Sequence, residues 1–296
     1  MKLPIAFTFG LKIVFGSLIV GIGYALGMML SGALAAALGA TLPKASGGTS
    51  PLVLIVMWGA LFGLILGPLA AQMAASRLQH VVVWSSMAFF TGLATVVEGR
   101  FFMPDAGTAP VAQAVMYLIA SLVGGVLITM LFAPRSDSSR PTSPPHRSWY
   151  SWTWRFVVSA FSYLVFYYLF GAINYTLVTH PYYQARIAGL TVPPAQVLLM
   201  AEAIRAPMMV LALLPLVLTF RTTRRRLIVI CGLLLAVIGA APLLLADSLP
   251  VFLRVASAWE IFLQNFSTGA VIALLLASPV VGPVQDKRHA VTVSAG

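Results

Sequence analysis

The chain contains three glutamates, and each lies in a long apolar stretch. Glu98 lies in ATVVEGRFFMP, Glu202 in LLMAEAIRAPMMV and Glu260 in RVASAWEIFLQNF. A charged side chain inside a bilayer costs about 2.5–3.5 kcal/mol on insertion scales, and such residues commonly mark ion, proton or substrate pathways. The chemistry open to these carboxylates is the transfer of protons or the binding of a ligand with polar or charged groups.

Three arginines accompany these glutamates, so the formal charge of the apolar segments can sum to zero: Arg100, Arg205 and Arg254. Glu202 and Arg205 are three residues apart, so they can pair on one face of a helix. Arg254 and Glu260 are six residues apart and lie nearer to opposite faces. We therefore expect each of these two to find its partner on another helix.

Three amide side chains fall at similar depths in their segments: Asn174, Gln264 and Asn265. Gln264 follows Glu260 by four residues, so the two share one face of a helix. These positions predict a ligand-binding set at one level of the membrane and no catalytic residue. The predicted set is Glu98, Asn174, Glu202, Arg205, Arg254, Glu260, Gln264 and Asn265.

The composition indicates which class of protein positions these side chains. The chain has 296 residues, of which 60% are hydrophobic and 8% are charged, whereas about 25% of residues are charged in soluble domains. A spanning helix needs roughly 20 largely apolar residues. The sequence therefore predicts an all-α integral membrane protein with about eight spans: 12–40, 51–75, 81–103, 110–133, 153–179, 194–220, 227–246 and 250–279.

A segment rich in proline, serine and charge, PRSDSSRPTSPPHRS, divides the spans into two groups of four. We predict a first membrane half over 1–133, a flexible cytoplasmic linker over 134–148, a second membrane half over 149–280 and a cytoplasmic tail over 281–296. Because four is an even number, both halves enter the membrane in the same direction. If they are related, they are parallel repeats.

Lysine and arginine are unevenly distributed between alternate connections. With both termini in the cytoplasm, thirteen basic residues lie inside, four lie outside and one lies within a span. The positive-inside rule then predicts a multi-pass protein of the bacterial inner (plasma) membrane with cytoplasmic N- and C-termini. At about 1.5 Å per helical residue, the predicted set lies in the outer half of the bilayer. Pro207 and Pro215 are expected to bend the sixth span near this level.

Small residues recur every four positions in the first two spans. One series is Gly23, Gly27, Ser31, Ala35 and Gly39, and the other is Gly59, Gly63, Gly67, Ala71 and Ala75. Faces of small residues let two helix backbones approach closely. We predict that the first two spans pack along these faces, and the alternative is that such a face mediates dimerisation.

Several other features narrow the possible partners. The net charge of +11 comes from basic loops, which membrane orientation explains better than nucleic-acid binding. The run RTTRRR could also hold anionic lipid headgroups through Arg221, Arg224, Arg225 and Arg226. The chain has a single cysteine and four scattered histidines, so we expect no disulfide, metal or cofactor.

Enzyme signatures are missing from the sequence, which has no phosphate-binding glycine loop with lysine, no HExxH and no GxSxG. The segments VVEGRFF, LLMAEAIRAPMMVLALLPLVLTFR and RVASAWEIFLQNFSTG resemble those of uncharacterised bacterial polytopic membrane proteins of about this length. The resemblance implies a membrane location and supplies no activity.

Two functions fit these observations. A transporter or permease would bind a small polar solute in an outward-facing pocket formed by the third, sixth and eighth spans. A non-transporting scaffold or complex subunit would use the same charges as structural ion pairs between helices. A membrane enzyme is a third alternative, because two carboxylates at one level could do acid–base chemistry.

Overall fold

A computed structural model of the chain describes residues 5–37, 50–102, 110–134, 147–187, 190–245 and 249–277. Within these ranges the chain forms α-helices and no strand. The helices are α1 (Ile5–Ala37), α2 (Pro51–Gln72), α3 (Arg77–Phe102), α4 (Pro110–Phe132), α5 (Trp149–Asn174), α6 (His180–Gln184), α7 (Ala195–Thr219), α8 (Arg224–Leu244) and α9 (Val251–Leu276). The predicted tail, and the predicted linker except for its ends, lie outside the described residues.

Eight helical segments are long and apolar enough to cross a membrane. They match the eight predicted spans, so the all-α polytopic membrane class is confirmed. Large apolar side chains on their outer faces remain uncovered by protein, among them Leu30, Val111 and Met130. In a bilayer, these faces contact lipid rather than water.

The fifth span contains the irregular backbone nearest to the predicted site. α5 continues through a π-helical turn at Tyr175–Thr179 into the short helix α6. By contrast, α7 remains helical through both Pro207 and Pro215. The turn that departs from α-helical geometry therefore begins one residue after Asn174 and not at Pro207.

Helices α1 and α2 pack closely through small residues. An added Cβ on Gly59 would lie 2.9 Å from the Cα of Gly21, and one on Gly63 would lie 2.9 Å from the Cα of Ser17. Such distances leave no room for larger side chains between the two backbones. The predicted packing of the first two spans is therefore confirmed, and on the second span it involves Gly59 and Gly63. Gly67 of the predicted series faces α4 instead, where its added Cβ would lie 3.1 Å from the ring of Phe132.

The prediction of which face of α1 meets α2 is wrong. Gly23 and Gly27 point toward α4, where an added Cβ on Gly27 would lie 3.0 Å from the Cα of Ala120. The strip of α1 that meets α2 is the neighbouring one, which contains Gly21. Because α1 packs against both α2 and α4, it carries small residues on two faces. Gly39 of the predicted series lies outside the described residues.

The two groups of four spans share one pattern of neighbours. In the first group, α1 packs against α2 and α4, and α4 also contacts α2 and α3. In the second group, α5 packs against α7 and α9, and α9 also contacts α7 and α8. Each span of one group thus has a counterpart in the other with the same main neighbours.

The contacts between the two groups follow the same correspondence. α3 packs along α7, and α2 meets α8, so in both cases the third span of one group touches the second span of the other. At the smaller contact, Arg226 Nη2 donates a hydrogen bond to Gln72 Oε1 over 2.6 Å. The four-span groups are therefore joined along two topologically equivalent seams, of which α3–α7 is the more extensive.

Three arginines cap the C-terminal end of α9. The last carbonyl groups of a helix have no partner within the helix, and basic side chains there also interact favourably with the helix dipole. The guanidinium nitrogens of three arginines donate hydrogen bonds of 2.7–3.1 Å to these carbonyl oxygens. The donors are Arg224, Arg155 and Arg147, and the acceptors are Leu274, Leu275, Leu276 and Ala277. We call this end of the bundle the basic end, and the opposite end, where α3 finishes and α7 and α9 begin, the acidic end.

Replacing Gly21 with alanine should lower the free energy of unfolding by about 1–3 kcal/mol, the usual cost of overpacking. The added methyl would lie 2.5 Å from the Val56 carbonyl oxygen and 2.8 Å from the Ala60 nitrogen, and these backbone atoms can move only with α2. Gly10→Ala in the same helix is the matched control, since nothing lies within 4 Å of its added Cβ. Unfolding curves in detergent would measure both; equal stability of the two variants would contradict the close contact of α1 with α2.

Candidate functional site

The side chain of Arg205 lies between two carboxylates that belong to different helices. Its Nη1 donates to both carboxylate oxygens of Glu202 within α7, at 2.7 and 2.8 Å. Its Nη2 lies 2.7 Å from Oε2 of Glu98 on α3. The predicted pairing of Glu202 with Arg205 is therefore confirmed, and the same guanidinium also joins the sixth span to the third.

Two tyrosines of α5 complete the surroundings of Arg205. The Tyr163 hydroxyl donates a hydrogen bond to Glu202 Oε2 over 2.8 Å. The guanidinium carbon lies 5.7 Å from the ring centroid of Tyr163 and 5.9 Å from that of Tyr167, within the range of about 6 Å for cation–π attraction. We call Glu98, Glu202, Arg205 and Tyr163 the carboxylate cluster, which joins α3, α5 and α7.

Burial decreases across the carboxylate cluster from α7 to α3. Glu202 is 0% exposed and Arg205 is 5% exposed, but the side chain of Glu98 is 27% exposed. Moving an ion out of water costs several kcal/mol, so a buried charge needs close partners. Glu202 has them on both oxygens, whereas Glu98 lies at the edge of the cluster and is the carboxylate that a solute could reach.

The cluster holds more carboxylates than guanidinium groups. Of the three arginines predicted for this level, Arg205 is the buried one, and Arg100 is exposed near the end of α3. Arg254 Nη1 donates over 3.3 Å to a backbone carbonyl at the end of α8. Glu98 and Glu202 therefore share the buried cation of Arg205.

Glu260 of α9 lies close to the carboxylate cluster. Its Oε2 accepts a hydrogen bond from Asn174 Nδ2 of α5 over 2.5 Å, so its partner is on another helix, as predicted. Gly171 leaves room for this carboxylate, since an added Cβ there would lie 3.2 Å from Oε1. Gly171 lies one turn of α5 from Tyr167, whose ring centroid is 5.9 Å from the guanidinium carbon of Arg205. The hydrogen-bond donor of Glu260 is a neutral amide.

Gln264 lies one helical turn beyond Glu260 on the same face of α9. This helix packs against α5 and α7, and the contact of Glu260 with Gly171 sets a register that puts Gln264 near the level of Tyr167. Gln264 is 2% exposed, and its Oε1 has no hydrogen-bond partner in the described part of the chain. An unpaired buried acceptor costs about 1–3 kcal/mol, which a water or a ligand would recover.

Two members of the predicted set lie elsewhere. Asn265 turns toward α8, where its Nδ2 donates to the Leu235 carbonyl over 3.2 Å, and Arg254 binds the end of α8. Both side chains join helices and do not reach the carboxylate cluster. Of the other six predicted residues, the structure joins Glu98, Glu202 and Arg205 in one network and Asn174 with Glu260 in a second. Gln264 lies one helical turn from Glu260 on the same face of α9.

Aromatic rings lie beside these carboxylates at the acidic end. The ring centroid of Tyr183 lies 5.8 Å from that of Tyr175 and 6.4 Å from that of Phe102. Phe102 follows Glu98 by one turn of α3, and Tyr175 directly follows Asn174, the hydrogen-bond partner of Glu260. We call Phe102, Tyr175 and Tyr183 the aromatic rim.

Sequence reasoning does not identify the tyrosines of this site. For Tyr163 and Tyr167 a signal exists in SYLVFYYLF, because the two are four residues apart on one face. A tyrosine hydroxyl within an apolar span also needs a hydrogen-bond partner. Tyr183 offers no comparable signal, since its place depends on how α6 follows the π-helical turn.

Two further predictions concern lipid binding by four arginines at the basic end and metal binding anywhere in the bundle. Arg224 and Arg226 are used in contacts with protein, while Arg221 and Arg225 are exposed at the basic end. Lipid binding there stays a prediction. Among the described residues, no group of three or more histidine, cysteine, aspartate or glutamate side chains could hold a metal ion.

Arg205→Met should lower the free energy of unfolding by about 3–5 kcal/mol, because it leaves the fully buried Glu202 without its cation. Arg254→Met removes the same chemical group from a more exposed contact and should cost less than about 1 kcal/mol. Reversible unfolding in mixed detergent micelles would measure the difference. Similar small losses for the two variants would show that Arg205 does not hold a buried ionic network.

Comparison of the chain with protein-family models, with curated proteins and with solved structures found no match. The features that bear on function are the polytopic helical fold and the geometry of the carboxylate cluster, Glu260 and Gln264. Together these residues form a polar, carboxylate-rich site inside a bundle of membrane-spanning helices.

Proposed function

We propose that this protein is a permease-like transporter that binds a small polar solute at the acidic end of its helix bundle. The observation that carries the proposal is the buried and unpaired Oε1 of Gln264 beside an excess of carboxylates. Buried polar atoms nearly always have partners, and an exception calls for a water, an ion or a ligand. Unpaired buried atoms also occur at the hydroxyl groups of four serines and at Nε of Arg254. Gln264 differs from the serines because it lies one helical turn from the carboxylate of Glu260.

A second unpaired atom lies at the same level. Arg205 uses Nη1 and Nη2 on the two carboxylates, but its Nε is buried with no hydrogen-bond partner among the described residues. This guanidinium is the one that lies near Tyr167, the level to which the register of α9 assigns Gln264. An unpaired donor and an unpaired acceptor at one level support the presence of a polar space between them.

The position of the site also suits a transporter. Arg205 joins α7 to α3, so the site adjoins the larger seam between the two four-helix groups. In transporters built from repeats, substrates bind at the interface between the repeats, and the repeats move around the bound substrate. The π-helical turn Tyr175–Thr179 lies beside this site, and such turns occur frequently at functional sites.

The proposal includes an orientation. The basic end carries Arg147, Arg155 and the run Arg221–Arg226, which the positive-inside rule assigns to the cytoplasm. The acidic end then faces the outside of the bacterial inner membrane, and both termini are cytoplasmic. In this orientation the site receives its solute from the outer side.

A scaffold or complex subunit is the second candidate function. The observation that favours it is the complete pairing of Glu202, which is fully buried and accepts hydrogen bonds from Arg205 and Tyr163. Such a network can hold α3, α5 and α7 together without any ligand. A scaffold requires Gln264 to be shielded from water, and the transporter requires water to reach it.

Thiol labelling separates the two functions, because the chain has a single cysteine, Cys231, which is buried. In a Cys231→Ala background, we expect Gln264→Cys to react with a membrane-impermeant thiol reagent added in water to reconstituted protein. Ala273→Cys, which is 0% exposed near the other end of α9, should remain unmodified. Mass spectrometry would measure the fraction of each variant that carries the label.

Val251→Cys serves as the positive control for these reactions, since Val251 is exposed at the first residue of α9. Reaction at Val251→Cys together with protection at Gln264→Cys would contradict the transporter and favour the scaffold. Reaction at Gln264→Cys but not at Ala273→Cys would support a water-accessible site at the acidic end.

A further inference from the structure

We propose that the solute is a small organic cation, an ammonium compound held by Glu98 and Glu260 against the aromatic rim. This inference rests on the proposed transporter function and specifies its substrate class. The excess of carboxylates, the aromatic rings beside them and the unpaired oxygen of Gln264 each contribute a separate part of the argument.

The charge of the site selects a cation. Glu98 and Glu202 share the single guanidinium of Arg205, and the hydrogen-bond partner of Glu260 is the neutral amide of Asn174. With one buried guanidinium against three carboxyl groups, the site is negative whenever more than one of these carboxyl groups is ionised, and it then repels an anion. Glu98 and Glu260 are the two partly exposed carboxylates, so a bound cation would contact them first.

The aromatic rim selects an organic cation. Tyr183 lies next to Phe102, which follows Glu98 by one turn of α3, and next to Tyr175, which follows Asn174, the hydrogen-bond partner of Glu260. The face of an aromatic ring attracts an ammonium group, and sites for quaternary ammonium ligands are commonly lined by such rings. The carboxylates would neutralise the charge of a cation bound between them and Tyr183, and the ring of Tyr183 would replace part of its water shell.

Gln264 supplies an independent indication of a ligand. Its unpaired Oε1 is almost fully buried and lies one turn below Glu260, on the same face of α9. A carbonyl oxygen accepts hydrogen bonds from N–H or O–H groups of a ligand. We therefore infer that this oxygen binds a polar group of the cation on the side away from the aromatic rim.

The donor set argues against a divalent metal ion as the preferred cation. Calcium requires six to eight oxygen ligands, and magnesium demands near-ideal octahedral geometry. The described residues contain no group of three or more metal-binding side chains that could meet these needs. Aromatic rings do not supply such ligands, but they do suit a bulky and weakly hydrated ammonium ion.

The probe for this inference is tetramethylammonium chloride added to the purified full chain in detergent. We expect it to raise the melting temperature in a concentration-dependent way, whereas potassium chloride at equal ionic strength and the neutral analogue tert-butanol should not. Glu260→Gln should weaken the apparent Kd by about tenfold or more, since it removes one of the two contacting charges. Stabilisation by potassium chloride equal to that by tetramethylammonium would overturn the proposal.

Matched variants of Tyr183 test the aromatic contact. Tyr183→Phe keeps the ring and should bind the probe as the unchanged protein does. Tyr183→Leu keeps an apolar side chain without a ring and should weaken the Kd by about tenfold. Equal binding by the two variants would overturn the assignment of the rim as a cation site, and both variants lie at a partly exposed position, which limits their effect on folding.

This experiment can fail independently of the proposed transporter. If Gln264→Cys is labelled from water but tetramethylammonium gives no stabilisation, the site is open and its solute is not an organic cation. If Gln264→Cys is protected, the transporter itself is rejected, whatever the probe does. Labelling of Gln264→Cys together with ring-dependent binding of the probe supports both.

Discussion

The guanidinium of Arg205 is buried between α3, α5 and α7. An arginine inside a membrane-spanning bundle cannot be left unpaired, because the cost of removing its charge from water exceeds what packing can recover. Its two carboxylate partners come from α7 and α3, so satisfying one charge fixes two helices. Tyr163 brings α5 into the same arrangement through Glu202. One buried side chain thus links three helices through polar contacts.

That constraint coincides with the seam between the two four-helix groups. α3 belongs to the first group and α7 to the second, so the ion pair of Arg205 with Glu98 joins the groups near the acidic end. Near the basic end, Arg226 and Gln72 join α8 to α2. Any relative movement of the two groups has to carry these contacts along or exchange them. Because Glu98 is partly exposed and Glu202 is not, the link to α3 is the one that a solute or a proton could alter without opening the core of α7.

The sequence predicts the membrane spans of this protein and the side-chain pairs within one helix. It predicts few of the contacts between helices, because these depend on which helices lie side by side. Apolar windows locate all eight spans, and the spacing of Glu202 and Arg205 predicts their pairing because helix periodicity alone brings them together. The bridge to Glu98 could not be predicted, since it requires α3 to lie beside α7. For the same reason the sequence wrongly places Asn265 in the predicted set, although its side chain faces α8. The arginines that cap α9 look like orientation signals in the sequence, because their carbonyl acceptors lie far away along the chain.

The measurement that tests this account most directly is a double-mutant cycle between Glu98 and Arg205, with Glu98→Gln, Arg205→Met and the double variant unfolded reversibly in mixed micelles. If the guanidinium joins α7 to α3, the two effects on the free energy of unfolding should be coupled by at least about 1 kcal/mol, and Glu98→Gln should matter little once Arg205 is gone. Effects that simply add, within about 0.5 kcal/mol, would mean that Arg205 does not interact with Glu98 across the seam. The carboxylate cluster would then not be the feature that organises the bundle.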